Sequence, residues 1–395
     1  MDFNGACVVI PTRNRADLAP RAIQSVLTQA DPNVRLIVSD NSTSSHDRAS
    51  LETYCEGLNE SRLTYLQPPE SMPMAEHWDW ALQQAMQEKE VSHFSYLTDR
   101  MMFRPNSLKT IIDIVTQYPE MIICYMHDIV YDFRPPYTFY QNEWTGKLYQ
   151  VASKRLLSLS AKSVIYDGCV PRMLNCFVPR GILDVVRMRF GSVFSPVAPD
   201  WNFAYRALEV VDSLLYFHEA LLVHYSQARS TGQQLHRGDR NYAQFVKDLE
   251  TPLNINAPYP EIRTVWNAII NEYCAVKKET HSPKFPALDL AAYRQSLAAG
   301  IAAIEDPVLK LEMETKLKAR GGKPAVQPSF ARKLVSPRAI VNKAKLMLGA
   351  LSGSAGYETA DQALEAALIK TRPRSKSVPW EEALHEGVEV PIELK

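Results

Sequence analysis

The sequence predicts an α/β fold in which helices cover both faces of a mainly parallel sheet. From residue 6 to residue 125, short runs of apolar and β-branched residues alternate with longer stretches whose apolar residues recur at helical spacing. Strands and helices that alternate at this pitch build parallel sheets. Such sheets bind ligands beyond the carboxyl ends of their strands, and polar residues follow the first four predicted strands here.

The strands of this region can be placed from their apolar runs. They are predicted at Ala6–Ile10, Leu36–Ser39, Leu63–Leu66, Phe94–Leu97 and Met121–Tyr125. Helical spacing of apolar residues predicts helices around 18–27 and 81–85. The segments that follow the first four strands read Pro-Thr-Arg-Asn-Arg, Asp-Asn-Ser, Pro-Pro-Glu and Thr-Asp-Arg. They are polar, turn-forming and rich in groups that can contact a nucleotide.

Changes of pattern divide the chain into three regions. Residues 130–200 carry many aromatic residues and prolines, which predicts an insertion within an amino-terminal domain of residues 1–235. Helical period returns at 201–215 and again at 240–250, 262–277, 290–304 and 307–318, and the last four segments predict a helical region over 236–320. Residues 321–395 are predicted to form a basic, partly flexible tail, because no acidic residue occurs between Lys316 and Tyr357.

Charge and cysteine content exclude several classes of protein. Lys and Arg together number 44, as do Asp and Glu, so we expect no nucleic-acid partner. The six cysteines include no Cys-x-x-Cys pair, which favours a reduced compartment. No apolar run reaches the roughly 18–20 residues that cross a bilayer. We therefore expect a cytoplasmic protein.

Several segments, in one order along the chain, resemble family 2 glycosyltransferases of the GT-A fold. Val-Val-Ile-Pro-Thr-Arg-Asn-Arg is similar to the first strand and turn of that family, and Leu-Ile-Val-Ser-Asp-Asn-Ser to its second strand. Met72–Leu82 resembles a helix that one subgroup carries before its diphosphate-binding strand. Asp200-Trp201-Asn202 with Arg206 resembles the segment that supplies the catalytic base.

The resemblance extends from about Ala6 to about Ser230 and implies a GT-A (Rossmann-like) nucleotide-diphospho-sugar transferase fold with a helical C-terminal appendage. Residues 130–200 would then form the acceptor side. It also implies an inverting glycosyltransferase that moves a sugar from a nucleotide-sugar donor to a carbohydrate or lipid-linked acceptor, in surface polysaccharide biosynthesis. Fold analogy alone carries this substrate class.

The nucleoside site is expected at the ends of the first two strands. By resemblance, Asp40 would contact the nucleoside, and Pro11, Thr12, Arg13 and Arg15 would frame it. A carboxylate at this place can accept hydrogen bonds from a pyrimidine imide or from ribose hydroxyls. Alternatively, Asp40 only caps its turn, and residues 11–15 form a plain strand-to-helix turn.

The diphosphate site is expected at Thr98-Asp99-Arg100, where the chain departs from the family. Thr98 and Arg100 occupy the two positions that usually carry metal-ligating aspartates. Asp99 could hold Mn²⁺ or Mg²⁺ with help from donor phosphates and water, or Arg100 could supply the positive charge that the departing diphosphate needs. A third interpretation is a structural ion pair of Arg100 with Asp99 or another acid.

Asp200 is the expected general base, since an inverting transfer needs one carboxylate to take the acceptor proton. An N-cap role for Asp200 is the alternative. Pro199 stands where relatives carry Glu. Trp201 could stack on an acceptor sugar or lie in the core.

Two further polar groups are weaker candidates. Arg229 lies in a segment that resembles the loop closing the donor site of relatives. His127 and Asp128 are not expected to form a metal pair, because adjacent strand residues point to opposite faces.

Two interpretations concern the tail and the rival functions. Residues 339–351 carry lysines among apolar residues and could lie on anionic lipid at the inner face of the membrane.

A catalytically inactive relative that acts as a nucleotide-sugar sensor or scaffold is the main rival function. A sugar-nucleotide pyrophosphorylase would open with a Gly-rich phosphate loop, and none follows the first strand.

Overall fold

A computed structural model of the protein describes residues 3–29, 33–142, 144–165, 168–230, 253–321, 356–369 and 388–392, with the single residues 232, 234, 247, 249 and 394. These residues contain one mixed sheet that is packed on both faces. Within these ranges, no helix combines the length and the apolar character that crossing a membrane requires.

Four parallel strands form one half of the sheet. They are β1 (Ala6–Thr12), β2 (Val34–Asp40), β3 (Leu63–Leu66) and β4 (His93–Tyr96). The connections between them contain α1 (Ala19–Leu27), α2 (Ser45–Gly57) and α3 (Met74–Ala85). The strands lie in the order β4–β1–β2–β3, with Thr12 opposite Asp40. Their carboxyl ends therefore meet at one edge of the sheet.

The other half of the sheet mixes parallel and antiparallel pairs. Its strands are β5 (Met101–Phe103), β6 (Ile123–Tyr131), β7 (Thr138–Tyr140), β8 (Leu148–Ala152), β9 (Cys176–Pro179), β10 (Ser213–His224) and β11 (Val388–Val390). The order across the described sheet is β11–β8–β10–β6–β9–β4–β1–β2–β3, with β5 paired to β10 and β7 to β6. Strand β9 is antiparallel to both β4 and β6 and so joins the two halves.

The remaining helices follow the order of the chain. They are α4 (Ser107–Gln117), α5 (Ser153–Ala161), α6 (Arg180–Phe190), α7 (Pro199–Val210), α8 (Val265–Thr280), α9 (Leu290–Ala302), α10 (Pro307–Ala319) and α11 (Ala360–Ile369). A single 3₁₀ turn covers Gln227–Arg229 within the described part of the chain.

The first strand shows why the sheet needs cover on both faces. All seven of its residues are buried. Cys7 and Val9 belong to one apolar cluster, whereas Ala6, Val8 and Ile10 belong to another. Since successive side chains of a strand point to opposite faces, the two clusters are the two sides of the core.

All five predicted strands form; the ends of the first four shift by at most two residues, and β6 extends six residues beyond the predicted end at Tyr125. The predicted helices at 262–277, 290–304 and 307–318 correspond to α8, α9 and α10. The helical period over 201–215 is wrong beyond Val210, because β10 begins at Ser213 and pairs with β6 and β8. The segment 240–250 lies almost wholly outside the described residues.

Two segments of the predicted tail return to the amino-terminal domain. Helix α11 places Leu364 against Val223 and Tyr225 in one buried cluster, and Arg21 pairs with Asp361 at 2.6 Å. Strand β11 adds to the free edge of β8. The candidate lipid-binding segment 339–351 and the basic residues from 323 to 345 lie outside the described residues.

Candidate active site

One cleft gathers nearly all the residues that the sequence singled out. It lies beyond the carboxyl ends of β1 and β4, beside the start of α7, and has a volume of about 960 Å³. Ligand sites are commonly of this size. The predicted residues on its walls are Pro11, Thr12, Arg13, Arg15, Asp99, Arg100, Asp200 and Trp201. Asp40 does not line the cleft.

Asp99 follows β4 and contacts the turn after β1. Its Oδ2 accepts a hydrogen bond from the Thr12 hydroxyl at 2.9 Å, and its Oδ1 pairs with the Arg15 guanidinium at 3.1 Å. Arg100 Nε lies 4.0 Å from the same Oδ1. The Asp99 side chain is only 3% exposed. Both carboxylate oxygens are therefore engaged by the protein itself.

Arg100 keeps its charge in this buried place. Burial lowers the pKa of Arg100 to about 10, and the Asp99 carboxylate opposes that change. The group is thus protonated at neutral pH. A charged, planar guanidinium on the wall of a cleft suits the binding of phosphate oxygens.

Arg15 joins three parts of the cleft wall. Besides its pair with Asp99, it donates a hydrogen bond at 2.8 Å to the carbonyl oxygen of Arg229, within the 3₁₀ turn. Arg229 in turn pairs with Asp17 at 2.5 Å, at the start of the α1 region. The hydroxyl of Tyr225 donates toward the carbonyl oxygen of Asp99 at 3.1 Å. The segment that resembles a donor-site loop is therefore tied to the turn after β1.

Asp200 also lines the cleft, as the second residue of α7. The N-cap position belongs to Ala198, which offers no side-chain hydrogen bond, and Pro199 opens the helix. The interpretation of Asp200 as an N-cap is therefore wrong. A carboxylate in the first turn is favoured by the positive end of the helix dipole. Its Oδ2 lies 4.0 Å from a guanidinium nitrogen of Arg172.

Trp201 has both of the environments that the sequence left open. It belongs to the buried core and also lines the cleft, with 8% of its surface exposed. The Arg172 guanidinium lies over its ring, 5.0 Å from the ring centroid. Arg172 was not predicted, because it lies between α5 and β9 in a segment with no motif or helical period.

The start of α7 is supported by α8. Glu272 of α8 is 1% exposed and accepts hydrogen bonds from the amides of Asn202, at 2.7 Å, and Asn271, at 3.0 Å. Burial raises the pKa of Glu272 to about 7, although these donors and the backbone N–H of Ala198 oppose that change. The predicted helical appendage is thus part of the support of Asp200.

Two stacked histidines also line the cleft. The rings of His127 and His224 lie 4.1 Å apart at an angle of 18°. Burial lowers the pKa of His224 well below its usual range, with further lowering by His127 and Arg100, so this ring is neutral. As predicted, Asp128 points the other way, where it pairs with Arg104 at 2.5 Å.

The end of β2 is buried beside the cleft. Asp40 accepts hydrogen bonds from the Ser42 N–H and the Tyr65 hydroxyl, each at 2.9 Å. The turn-capping interpretation of Asp40 therefore describes this structure. Ser39 contacts His77 Nε2 at 2.7 Å, and burial lowers the pKa of His77 to about 4.

The residues around Asp99 do not fit a Mn²⁺ or Mg²⁺ site. These hard cations take six or more oxygen ligands, and here one carboxylate already serves Thr12, Arg15 and Arg100. Two unit charges about 4 Å apart interact by about 4 kcal/mol near a protein surface, so the two guanidiniums would offset the attraction of Asp99 for a dication. In the described ranges, no group of three or more His, Cys, Asp or Glu side chains is arranged to hold a metal.

The fold and the cleft define an α/β protein of the class that binds its ligands beyond the carboxyl ends of parallel strands. The family model described as Glycosyl transferase family 2 matches residues 7–172. The matched segment belongs to glycosyltransferase family 2, the fold is the GT-A fold, and the protein is a glycosyltransferase.

Solved structures of S. aureus TarS are similar to the chain at a low level. Residues 1–349 of TarS in complex with UDP-GlcNAc are 12% identical, with a TM-score of 0.44, over 81% of this chain and 92% of that one. A second structure of residues 1–349 of TarS is 12% identical, with a TM-score of 0.45, over 81% of this chain and 92% of that one. A longer TarS structure is 14% identical, with a TM-score of 0.43, over 81% of this chain and 53% of that one. This similarity says nothing about the ligands of the present chain. No curated protein matches the chain in sequence.

Proposed function

We propose that the protein is an inverting glycosyltransferase that moves a sugar from a nucleotide-sugar donor to a carbohydrate or lipid-linked acceptor, in surface polysaccharide biosynthesis. The observation that carries this proposal is a single cleft that is lined both by a carboxylate at a helix start and by a cluster of charged arginines. The acceptor hydroxyl and the diphosphate must occupy opposite sides of the reacting carbon in an in-line transfer.

Asp200 would act as the general base of this step. The acceptor oxygen forms a bond to the anomeric carbon, the bond from that carbon to the diphosphate oxygen breaks, and its electron pair leaves with the diphosphate. Asp200 takes the proton that the acceptor hydroxyl loses. Arg172, 4.0 Å from Asp200 and over the ring of Trp201, would hold the base and the acceptor-binding ring in place.

The donor would lie against the residues that follow β1 and β4. Pro11, Thr12, Arg13 and Arg15 line the cleft at the end of β1, where the nucleoside is expected. Asp40 lies opposite Thr12 in the sheet and could reach the nucleoside only by exchanging the Tyr65 hydroxyl for it. Asp99 and Arg100 would face the diphosphate.

The acceptor end of the cleft is supported from the helical region. Val265 and Ile269 of α8 line the cleft together with Val197 and Trp201. These apolar groups are compatible with a lipid-linked acceptor as well as with the C–H face of a sugar. An enzyme with such an acceptor would work at the inner face of the membrane, in the cytoplasm.

Turnover tests this function directly. Nucleotide sugars would be screened for transfer or hydrolysis by release of nucleoside diphosphate. We expect Asp200→Asn to lower turnover by about 10²–10⁴-fold, because a general base contributes this much, and to leave nucleoside diphosphate binding intact. Asp184→Asn, the same change at an exposed position of α6, should leave turnover unchanged.

The rival function is a nucleotide-sugar sensor without catalysis. Thr98, Arg100 and Pro199, at the places of family carboxylates, favour this rival. Nucleoside diphosphate binding by the unaltered protein without turnover of any donor would support the sensor and contradict the enzyme.

A further inference from the structure

The cleft carries an excess of positive charge. Its charged lining residues, within the described part of the chain, are Arg13, Arg15, Arg100, Arg172, Arg229, Asp99 and Asp200. Five guanidinium groups thus face two carboxylates. A nucleotide sugar carries two negative charges on its diphosphate, and the diphosphate that leaves carries a third. The side chains of the protein alone therefore supply positive charge that offsets the negative charge of the diphosphate.

Asp99 serves the arginines and not a cation. Its two oxygens contact the Thr12 hydroxyl and the Arg15 guanidinium, and Arg100 Nε stands 4.0 Å away. Such contacts fix the orientation of long side chains that would otherwise be mobile. Asp99 lies between the two positions where family members carry metal-ligating aspartates, and the guanidinium groups beside it have the sign of charge that a metal would have.

We propose that Arg15 and Arg100, oriented by Asp99, bind the donor diphosphate and stabilise the leaving group in place of a divalent cation. This inference rests on the proposed glycosyltransferase function and specifies how its donor site works. When the bond from the anomeric carbon to the diphosphate oxygen breaks, the electron pair passes to that oxygen, and the two guanidinium groups stabilise the added negative charge.

Buried polar atoms on the same wall support a ligand at this place. Thr98 Oγ1, Arg100 Nε, His224 Nε2 and Gln227 Nε2 are buried and make no hydrogen bond within the described structure. All four residues line the cleft. Buried polar groups are rarely left unpaired in proteins, so a ligand with several acceptor oxygens would complete this set. A diphosphate has such oxygens.

The arginines also connect the diphosphate to the loop that follows β10. Arg15 donates to the carbonyl oxygen of Arg229 at 2.8 Å while it pairs with Asp99. A diphosphate held by Arg15 would therefore fix the turn Gln227–Arg229 beside it. A divalent cation at Asp99 would instead displace Arg15 from its carboxylate and release this connection.

The experiment measures binding to the full chain by titration calorimetry. UDP and inorganic pyrophosphate are the probes, each with EDTA and with Mn²⁺ or Mg²⁺. We expect at least one probe to bind with EDTA present, with a Kd that changes less than threefold when either cation is added. Arg100→Gln should weaken that binding by at least tenfold, and Arg100→Lys should restore part of it.

Arg35→Gln is the matched control. Arg35 is exposed near the amino end of β2, away from the cleft, and its loss changes the net charge equally. We expect its Kd values to stay within twofold of those of the unaltered protein. An equal loss of binding in Arg35→Gln and Arg100→Gln would reveal a general effect of net charge and overturn the proposal.

Asp99→Asn separates the two mechanisms by the direction of its effect. If Asp99 only orients arginines, removal of its negative charge leaves pyrophosphate affinity with EDTA within threefold or raises it. If Asp99 binds a cation, affinity depends on Mn²⁺ or Mg²⁺ in the unaltered protein and this dependence disappears in the variant. The second result overturns the arginine site and leaves the transferase function standing. Absence of binding by either probe under every condition overturns the arginine site, and the turnover screen of nucleotide sugars then decides the transferase function separately.

Discussion

Asp40 shows how far one residue can be understood from sequence. Its place at the end of β2 was predicted. The hydrogen bond that the Tyr65 hydroxyl donates to its carboxylate was not predicted. The partner comes from β3, and a contact across strands leaves no local pattern in the sequence. Asp40 itself is fully buried.

Comparison of two ligands tests whether Asp40 contacts the nucleoside. We expect Asp40→Asn to weaken UDP or another bound nucleoside diphosphate by about tenfold, since a hydrogen bond to a charged group contributes about 1.5–3 kcal/mol. Pyrophosphate affinity should stay unchanged, because it lacks the nucleoside. Titration calorimetry gives both values. An equal loss for both ligands would contradict a nucleoside contact and indicate damage to the turn, which Tyr65→Phe should then reproduce.

Among the site residues, the predicted ones share a feature that the missed ones lack. Arg15, Asp99 and Asp200 each follow a strand or open a helix, so a pattern of elements points to them. The Arg172 guanidinium contacts Asp200 and the ring of Trp201, and the His224 ring stacks on His127, so both side chains reach the cleft through groups far away in the sequence. Residues of this kind become visible only when the sheet is assembled.

At the scale of elements, strands were predicted more fully than helices. The buried parallel strands are continuous apolar runs, which are easy to find in a sequence. Helix α2 was not predicted, because it buries only Leu51 and Cys55 and therefore shows little periodicity. Its start is set by Ser44, which accepts a hydrogen bond from the Asp47 N–H. The insertion at 130–200 contains short elements whose order no periodicity reveals.

The contact between α7 and α8 makes stability depend on pH. In the folded protein the pKa of Glu272 is about 7, above its usual value near 4.5, so folding favours the protonated carboxyl. The contribution of Glu272 to stability is complete below about pH 4.5. As the pH rises from there to about 7, the free energy of unfolding falls by a total of about 3 kcal/mol. Glu272→Gln should remove this loss, as measured by denaturation from pH 5 to pH 8.

The exposed Glu279 of the same helix provides the control for this measurement. Glu279→Gln should follow the pH profile of the unaltered protein. A Glu272→Gln protein with that same profile would show that Glu272 does not titrate in this range.

At the scale of the whole molecule, the return of α11 and β11 was the least predictable feature. Helix α11 covers an apolar cluster on β6 and β10, and β11 pairs with β8. The partners are separated by more than 130 residues of sequence, so the composition of the region near 360 gave no indication of them. The basic character of the surrounding segment favoured a solvated tail.

Removal of one side chain tests this return. Leu364 is 3% exposed, and Leu364→Ala should lower the free energy of unfolding by about 3 kcal/mol, because it leaves a cavity against Val223 and Tyr225. Urea denaturation of the full chain measures the change. Glu365→Ala, at the next and exposed position, should change stability by less than about 0.5 kcal/mol. Equal stability of the Leu364 variant and the unaltered protein would show that α11 is not docked.

The pairing of β11 with β8 also affects how the chain folds while it is being synthesised. β8 ends at Ala152, and its neighbour begins at Val388, so a ribosome must add every residue between them before that border can be closed. Until then the edge of β8 has unpaired backbone N–H and C=O groups, and such an edge promotes aggregation of nascent chains. Slow translation would prolong that exposure, and chaperones that shield emerging polypeptides would matter most during this interval.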